Sequence, residues 1–317
     1  MRRLFSDAHY DFIGMRRRAY LGSGIGLVIC MVAALVWQFS RGSWLNYGVD
    51  FAGGTLVQVQ FQEPTSVAQI RDALGSELPG SEVTRFGQEN EFLIRVPATG
   101  DVASATTDRL PILLDAAFGA GTYTIERTEA VGAKVGAELQ TRALIAILLS
   151  FSMTLIYLAV RFEWRFGLAA VIATLHDILL TLGLISLLRL EVALPTVAAV
   201  LTIIGYSLND TIIIFDRIRE NLGTGRRMDF VALLNRSINE TLPRTVLTAG
   251  TTLVTLLALF LFGGEIIRPF ALILILGIVL GTYSSIFVAS PALLAIEKKW
   301  PGERTKASRP VRARTPA

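Results

Sequence analysis

The chain has 317 residues, of which 52% are hydrophobic and 18% are charged, and its formal net charge is +4. This composition excludes an ordinary soluble enzyme and is typical of a protein that crosses a membrane several times. With one cysteine and two histidines, the chain is expected to form no disulfide within itself and to hold no metal ion or other cofactor.

The first apolar run predicts a membrane helix at residues 19–40, which follows a basic N-terminal segment at residues 1–18. The run is longer than the hydrophobic part of a signal peptide, and no cleavage site of small residues follows it. We therefore expect the first helix to remain in the mature chain.

A polar insert at residues 41–138 is predicted to fold as a separate α+β domain. Residues 55–61 alternate between apolar and polar side chains and predict a strand, and the next apolar residues have helical spacing after Ser66, which can cap a helix. Two strands, a helix with a weak point at Pro111 and a last strand at residues 123–127 follow. The order β-α-β-β-α-β is typical of the ferredoxin-like fold, and the insert contains no catalytic constellation.

Five more membrane helices are predicted within residues 139–296, which makes a polytopic α-helical membrane protein with six transmembrane helices. A basic segment follows the fourth membrane helix. Its apolar stripe at residues 231–242 indicates either a helix that lies at the membrane interface or one that packs against the bundle. Pro243 and Arg244 are expected to open the fifth membrane helix, and a basic tail is predicted at residues 297–317.

The distribution of arginines predicts the orientation in the membrane. Arginines are concentrated in the N-terminal segment, which contains Arg2 and Arg3, in the loops after the second and fourth helices, and in the tail. The two short loops on the opposite side contain just Arg189 and Arg268. By the positive-inside rule, both termini are cytoplasmic and the insert lies outside the cytoplasm.

The fourth membrane helix contains the charged group that is most costly to bury. Asp210, with Asn209 beside it, lies six residues before the charged edge at Asp216, which is roughly 9 Å along a helix. An ionised carboxylate at such a depth costs about 2.5–3.5 kcal/mol, and residues of this kind usually mark an ion or proton path. The alternative is a structural aspartate that joins helices through hydrogen bonds.

Three further polar residues are candidates for the same site. Arg244 begins the fifth helix on the same side of the membrane, where it could meet Asp210 or extend towards the lipid headgroups. Asp177 lies roughly 18 Å deep in the third helix and either relays protons or is a satisfied polar residue between helices. His176 precedes it, is expected to point about 100° away around the helix, and is interpreted as structural.

Four segments resemble the signatures of SecF proteins, a group of the SecD/SecF family. Residues 48–55 are similar to the GVDFxGGT signature after the first helix, and residues 131–139 to the VGPxVGxEL stretch before the second, with Ala133 in place of proline. Residues 207–221 resemble the SLNDT and FDRIREN signatures, and residues 241–245 resemble the start of the fifth helix. The motif positions are Gly48, Asp50, Phe51, Gly53, Gly54, Gly132, Gly136, Glu138, Asp216 and Arg217.

The resemblance implies a function in protein export across the bacterial inner membrane. SecF proteins are similar to RND transporters, work with SecD, assist the SecYEG channel and use the proton motive force to draw polypeptide through the lipid bilayer. It implies that Asp210 is the proton-responsive carboxylate and Arg244 its charged partner. We expect Asn209 and Asp177 to belong to the same proton-coupling group, and we expect no nucleic acid partner.

Two other functional classes are weighed against protein export. A stand-alone RND-like exporter of small molecules would contain a duplicated bundle, whereas one set of six helices is predicted here. An intramembrane aspartyl protease would use Asp177 and Asp210, but its carboxyl groups must share a proton within a few Å. The predicted depths differ by about 9 Å, and Asp210 lacks the GxGD context of such proteases, so no enzyme is predicted.

Overall fold

The computed structural model describes residues 9–75, 77–78, 80–97, 103–224 and 228–302, and of residues 103–107 and 265 it describes the backbone alone. Three parts of the predicted basic segments lie outside the described residues, namely residues 1–8, with Arg2 and Arg3, residues 225–227 after the fourth membrane helix, and residues 303–317 of the tail.

The helices and strands follow one another in this order: α1 (Arg16–Arg41), β1 (Asn46–Tyr47), α2 (Val49–Ala52), β2 (Gly54–Phe61), α3 (Val67–Leu74), β3 (Glu82–Arg85), β4 (Glu91–Val96), α4 (Ala103–Phe118), β5 (Tyr123–Val131), α5 (Ala133–Arg161), α6 (Trp164–Leu187), β6 (Glu191–Val192), α7 (Leu194–Gly223), α8 (Phe230–Phe262), α9 (Gly264–Ser284) and α10 (Ser290–Lys299). A π-helical turn (Ser285–Ala289) joins α9 to α10. Six helices in the described residues, counting α9 to α10 as one, are long and apolar enough to cross a membrane. This confirms the prediction of a polytopic membrane protein.

The insert between α1 and α5 contains an antiparallel sheet with the strand order β3-β4-β2-β5. Alternate side chains of β2 are buried, which places them in one core with α3 and α4. Ser66 caps α3 in a capping box with Gln69. The core residues include Val57, Val59, Phe61, Ile70, Leu74, Phe92, Ile94, Leu110 and Leu114.

Pro111 lies inside α4, as predicted, and does not end the helix, because Leu110 and Leu114 on either side of it are fully buried and hold the helix against the sheet. One predicted boundary in the insert differs from the structure. The last strand is longer than residues 123–127, since β5 pairs with β2 as far as Val131. The sheet therefore continues almost directly into α5.

Three helical stretches form the centre of the membrane bundle. Of the most apolar 18 residues in each helix, 56% are buried in α6, 50% in α7 and 56% in the α9–α10 stretch. The corresponding shares are only 11% in α1, 6% in α5 and 17% in α8. The peripheral helices expose long apolar side chains, as a helix in contact with lipid does. Gly277 and Gly281 let α9 approach α7 closely, and a Cβ at Gly281 would lie 2.9 Å from the Cβ of Ser207.

The structure corrects the prediction that Pro243 opens a new membrane helix. α8 is one helix of 33 residues with Pro243 inside it, and no separate interfacial helix precedes it in residues 228–242. The stripe at residues 231–242 packs into the bundle, where Leu234 and Ile238 belong to the core. Because packing continues on both sides of the proline, through Thr241 and Thr245, the helix tolerates the missing N–H group.

Candidate functional site

A cluster of buried polar side chains lies where α6, α7 and α9 meet, and Asp177 of α6 is at its centre. Asp177 is 1% exposed, so its carboxylate depends on protein donors. Ser207 on α7 donates from Oγ at 2.5 Å and Ser284 on α9 donates from Oγ at 2.6 Å, both to Oδ2. His176 Nδ1 lies 2.9 Å from Oδ1. The carboxylate of Asp177 therefore joins three helices and is fully hydrogen-bonded.

Asp210 of α7 is equally buried but poorly hydrogen-bonded. It is 1% exposed, and Thr282 on α9 donates to Oδ2 at the long distance of 3.4 Å. Oδ1 has no hydrogen-bond partner among the described residues. A buried polar atom without a partner is costly, and most are paired in folded proteins. Asp210 and Asp177 therefore lie in one polar cluster but in opposite states of hydrogen bonding.

Helical spacing explains how the two acids come to face the same neighbour. Ser207 precedes Asp210 by three residues, so both lie on the face of α7 that contacts α9. Thr211 continues this face, and its Oγ1 lies 2.8 Å from Oγ of Ser285. Hydroxyl groups thus link α7 to α9 and to the turn that follows it, around both carboxylates.

Arg244 does not form an ion pair with Asp210. Its side chain is exposed on α8, and no acidic group in the described residues lies within ion-pair distance of it. Its charge is nevertheless close enough to act electrostatically on Asp210. Asn209 is also exposed, on the face of α7 opposite to the cluster. The structure therefore places Asp210 and Asp177 in the cluster, and Asn209 and Arg244 on the outer surface of the bundle.

The expected orientation of His176 is wrong. The ring does not turn away from Asp177, since its Nδ1 reaches the neighbouring carboxylate, and Nε2 lies 3.0 Å from Oγ of Ser23 on α1. The 100° separation applies to the Cα–Cβ bonds, and rotation about χ1 and χ2 brings the ring of His176 to the carboxylate of Asp177. His176 thus belongs to the polar cluster.

Sequence reasoning missed the hydroxyl groups of this cluster. Serine and threonine are frequent in membrane helices, where they bond to carbonyl groups of their own helix, as Thr174 does to Ala170 at 3.0 Å. The available signal was the pair Ser284 and Ser285 in an otherwise apolar run. The π-helical turn begins at Ser285, and such turns often occur at functional sites.

Residues 48–55, which we call the GG segment, pack against residues 131–139 at the start of the second membrane helix. A Cβ at Gly53, whose φ is +72°, would lie 2.8 Å from Cα of Ala133, and a Cβ at Gly136 would lie 2.9 Å from the carbonyl oxygen of Phe51. Gln140 donates to the same carbonyl at 2.9 Å. These glycines are required because two backbones cross here without room for side chains.

The GG segment also contacts the start of α7. Asp50 Oδ2 accepts from the backbone N–H of Leu194 at 2.9 Å, which caps the helix that contains Asp210. The N–H of Gly48 donates to the carbonyl of Val192 at 2.9 Å. Beside these contacts, Arg95 of the sheet forms an ion pair with Glu191 of β6, with Nη2 of the arginine 2.7 Å from Oε1 of the glutamate. The sheet domain and the acid-bearing helix α7 are therefore directly connected.

The remaining motif positions have structural or surface contacts. Gly54 begins β2 and Gly132 is the N-cap residue of α5. Glu138 pairs with Arg142 at 2.6 Å, Asp216 with Arg161 at 2.7 Å, and Arg217 with Glu240 at 2.7 Å.

The cluster does not have the geometry of an aspartyl protease. No hydrogen bond joins the carboxyl groups of Asp177 and Asp210, since serine, threonine and histidine side chains contact them instead. In the part of the chain that the structure describes, no three histidine, cysteine, aspartate or glutamate side chains are grouped to hold a metal ion.

Comparison with protein families supports the resemblance seen in the sequence. Residues 114–299 match the family described as "Protein export membrane protein SecD/SecF, C-terminal", and residues 42–65 match the "SecD/SecF GG Motif". The protein translocase subunit SecF of Gemmatimonas aurantiaca is 49% identical over 309 residues, which cover 95% of this chain and 91% of the relative. The subunit of the same name from Vibrio alginolyticus is 45% identical, and the match covers 85% of the length of that relative.

A solved structure gives the same relationship. The crystal structure of SecDF from Thermus thermophilus, described as a translocon-associated membrane protein, is 38% identical with a TM-score of 0.78. A structure of SecDF in a super-membrane-facing form has a TM-score of 0.65. Both matches cover 92% of this chain but 39% of the SecDF chain, so this chain spans about two fifths of that protein.

Proposed function

The chain belongs to the SecD/SecF family of protein-export membrane proteins, and we propose that, as its SecF-type subunit, it couples protein translocation to the proton motive force. A role in protein translocation follows from the family and from relatives that are translocase subunits. The proposal concerns the energy source. The observation that carries it is Asp210, a fully buried carboxylate with one unpartnered oxygen.

Protonation of Asp210 gives the bundle two states of similar free energy. An ionised carboxylate inside a bilayer costs about 2.5–3.5 kcal/mol. Moving one charge through 100 mV is worth about 2.3 kcal/mol, so a membrane potential of this size can offset much of that cost. The neutral carboxyl gains a donor for nearby oxygens, and the ionised one attracts the positive charge of Arg244. Each state therefore favours a different packing of α7 against α9.

The contacts of α7 provide a route from this switch to the sheet domain. Asp50 holds the N-terminus of α7, and the pair of Arg95 and Glu191 joins the sheet to the strand that precedes it. A shift of α7 would therefore move the sheet domain. Asp177 holds α6, α7 and α9 together through its three donors, and we assign it a supporting role in the same cycle.

The partner subunit is proposed to be SecD, which would cover a polar surface on α7 and α8. α7 exposes Thr202, Gly205 and Asn209 at spacings of three and four residues. α8 exposes Arg244 and Thr251, which are seven residues and therefore about two helical turns apart on one face. Small and polar residues on a membrane helix favour contact with another helix over contact with lipid. We propose that Asn209 and Arg244 lie at the subunit boundary.

The remaining features of the proposal concern location. We propose that the protein lies in the lipid bilayer of the bacterial inner membrane with both termini in the cytoplasm, next to the SecYEG channel and its translocating polypeptide. The strand order β3-β4-β2-β5 and the order β-α-β-β-α-β support a ferredoxin-like domain outside the cytoplasm. That domain is proposed to contact emerging polypeptide or the partner, and no enzymatic reaction is assigned to the chain.

The proposal is tested with Asp210→Asn, which retains size and hydrogen bonding but cannot release a proton. The variant should insert into the membrane, bind its partner and support ATP-driven translocation, yet lose gradient-driven export in vesicles. Arg244→Ala should lose it as well. Glu220→Gln, which removes an exposed carboxylate from the same helix and replaces its ion pair with Arg217 by a neutral amide contact, is the matched control and should retain export. Full gradient-driven export by Asp210→Asn at normal protein level would contradict the proposal.

A further inference from the structure

A continuous series of hydrogen bonds leaves Asp177 on the side opposite to its serine donors. His176 Nδ1 lies 2.9 Å from Asp177, and Nε2 of the same ring lies 3.0 Å from Oγ of Ser23. Ser23 Oγ lies 3.2 Å from the hydroxyl of Tyr283, which donates to the carbonyl of Ala19 at 2.9 Å. We propose that His176, Ser23 and Tyr283 form a proton path between Asp177 and the basic end of α1, an inference that rests on the proposed proton coupling.

The series has a complete pattern of donors in each direction. With a neutral ring, Tyr283 donates to Ser23, Ser23 donates to Nε2, and Nδ1–H donates to Asp177. With a protonated ring, Nε2–H donates to Ser23, Ser23 donates to Tyr283, and Tyr283 donates to the carbonyl of Ala19. Towards Asp177, a proton enters from water at Tyr283 while Nδ1 passes one to the carboxylate. In the other direction Tyr283 releases its proton to water at the membrane surface, because the carbonyl of Ala19 accepts a hydrogen bond but not a proton. One proton moves along the series in net terms, and no group is left oxidised or reduced.

The position of the series fits a path to one face of the membrane. Ala19 lies one helical turn from Arg16, the first residue of α1, which is roughly 5 Å along the axis. In the proposed topology this is the cytoplasmic end. His176 and Ser23 are buried, and Tyr283 is partly exposed, so the series begins in the core and ends near the surface.

The burial of Ser23 is specific to this series. Within α1, which is described throughout, Ser23 and Cys30 alone are buried, and the other residues are half-buried or exposed. A single hydroxyl of this lipid-facing helix is thus directed at the imidazole of His176. Imidazole is the side chain best suited to accept and release a proton near neutral pH.

The contacts of the imidazole ring place it in the middle of the series. The hydroxyls of Ser207 and Ser284 both donate to Oδ2 of Asp177, so Nδ1 of His176 supplies the hydrogen bond at Oδ1. Tyr283 stacks on His176, with ring centroids 6.4 Å apart and an interplanar angle of 29°. The titratable groups that face His176 are Asp177 on its own helix and Tyr283 on α9, while α1 contributes the hydroxyl of Ser23. The hydrogen bond between His176 and Ser23 would be enough to attach α1 to α6, whereas proton transfer needs every hydrogen bond of the series.

Two variants break the series without removing a large side chain. Tyr283→Phe keeps the ring that packs on His176 and removes its hydroxyl, and Ser23→Ala removes the middle link. Ser23→Thr keeps a hydroxyl and should restore function. The matched control is Tyr206→Phe, which breaks a 3.2 Å hydrogen bond to Thr252 elsewhere in the bundle. All four are measured in vesicles for gradient-driven export in H₂O and D₂O and for ATP-driven translocation.

Tyr283→Phe and Ser23→Ala should slow gradient-driven export at least tenfold and increase its solvent isotope effect, because proton transfer becomes limiting. ATP-driven translocation should be unchanged, and Tyr206→Phe should behave as the parent. Parent rates and isotope effects in both variants, alongside an inactive Asp210→Asn, would overturn the path and leave proton coupling intact. An equal loss of ATP-driven translocation, or failure of Ser23→Thr to restore export, would also overturn it. An active Asp210→Asn would instead overturn the proposed function.

Discussion

Replacing Gly281 by alanine tests how closely α7 and α9 must approach. The new Cβ would lie 2.9 Å from Cβ and 3.1 Å from Cα of Ser207. Carbon atoms pack best at about 3.5–4.0 Å, so the helices must separate by roughly 0.5–1 Å. Overpacking of this kind costs about 1–3 kcal/mol. The separation also lengthens the hydrogen bond from Ser207 to Asp177, now 2.5 Å.

Gly250→Ala on α8 is the matched control, because a Cβ there meets nothing within 4 Å. Both variants gain the same helix propensity, so the difference between their free energies of unfolding isolates the packing cost. Equilibrium unfolding in mixed micelles should show Gly281→Ala less stable than Gly250→Ala by about 1–3 kcal/mol. Equal stability of the two variants would refute the close contact between α7 and α9.

Three further predictions concern the sheet domain and the topology. A cysteine at Gln88 should react with an impermeant thiol reagent in intact cells and one at Thr305 should not; the reverse labelling would contradict the positive-inside topology. Burial raises the pKa of the Glu191 carboxyl despite the attraction of Arg95. This pKa in the folded protein is above the unfolded value of about 4.5, so the parent should lose stability relative to Glu191→Gln as the pH rises from about 4.5 through the raised pKa. Equal melting temperatures of the parent and the variant across that pH range would refute the raised pKa. Phe92→Ala in the sheet core should cost about 3–5 kcal/mol and accelerate amide exchange in the sheet but not in the membrane helices, and unchanged exchange would exclude the described core.

Much of the sheet domain is predictable because its signals are local. The alternation of Val57, Val59 and Phe61 predicts the face of β2 that is buried, and all three side chains lie in the core. Ser66 predicts the start of α3 through a capping box that involves residues three apart. Asp210 is equally apparent, because a carboxylate within an apolar run is costly wherever the helix packs.

The parts that sequence reasoning missed depend on contacts between distant segments. Ser207 and Ser284 are identified as donors to Asp177 only when α7 and α9 are brought together. Pro243 favours the first turn of a helix, and the prediction of a boundary there failed because buried neighbours on both sides keep α8 continuous. The bond from His176 to Ser23 joins residues 153 positions apart, which no local pattern contains.

The central claim is that Asp210 binds and releases a proton, and infrared difference spectroscopy tests it most directly. In membranes stepped between acidic and neutral pH, the parent should show the C=O stretching band of a protonated carboxyl that disappears at the higher pH. The band should be absent from Asp210→Asn and retained in Glu220→Gln, whose exposed carboxylate lies on the same helix. A pH-dependent band of full intensity in Asp210→Asn would contradict the account.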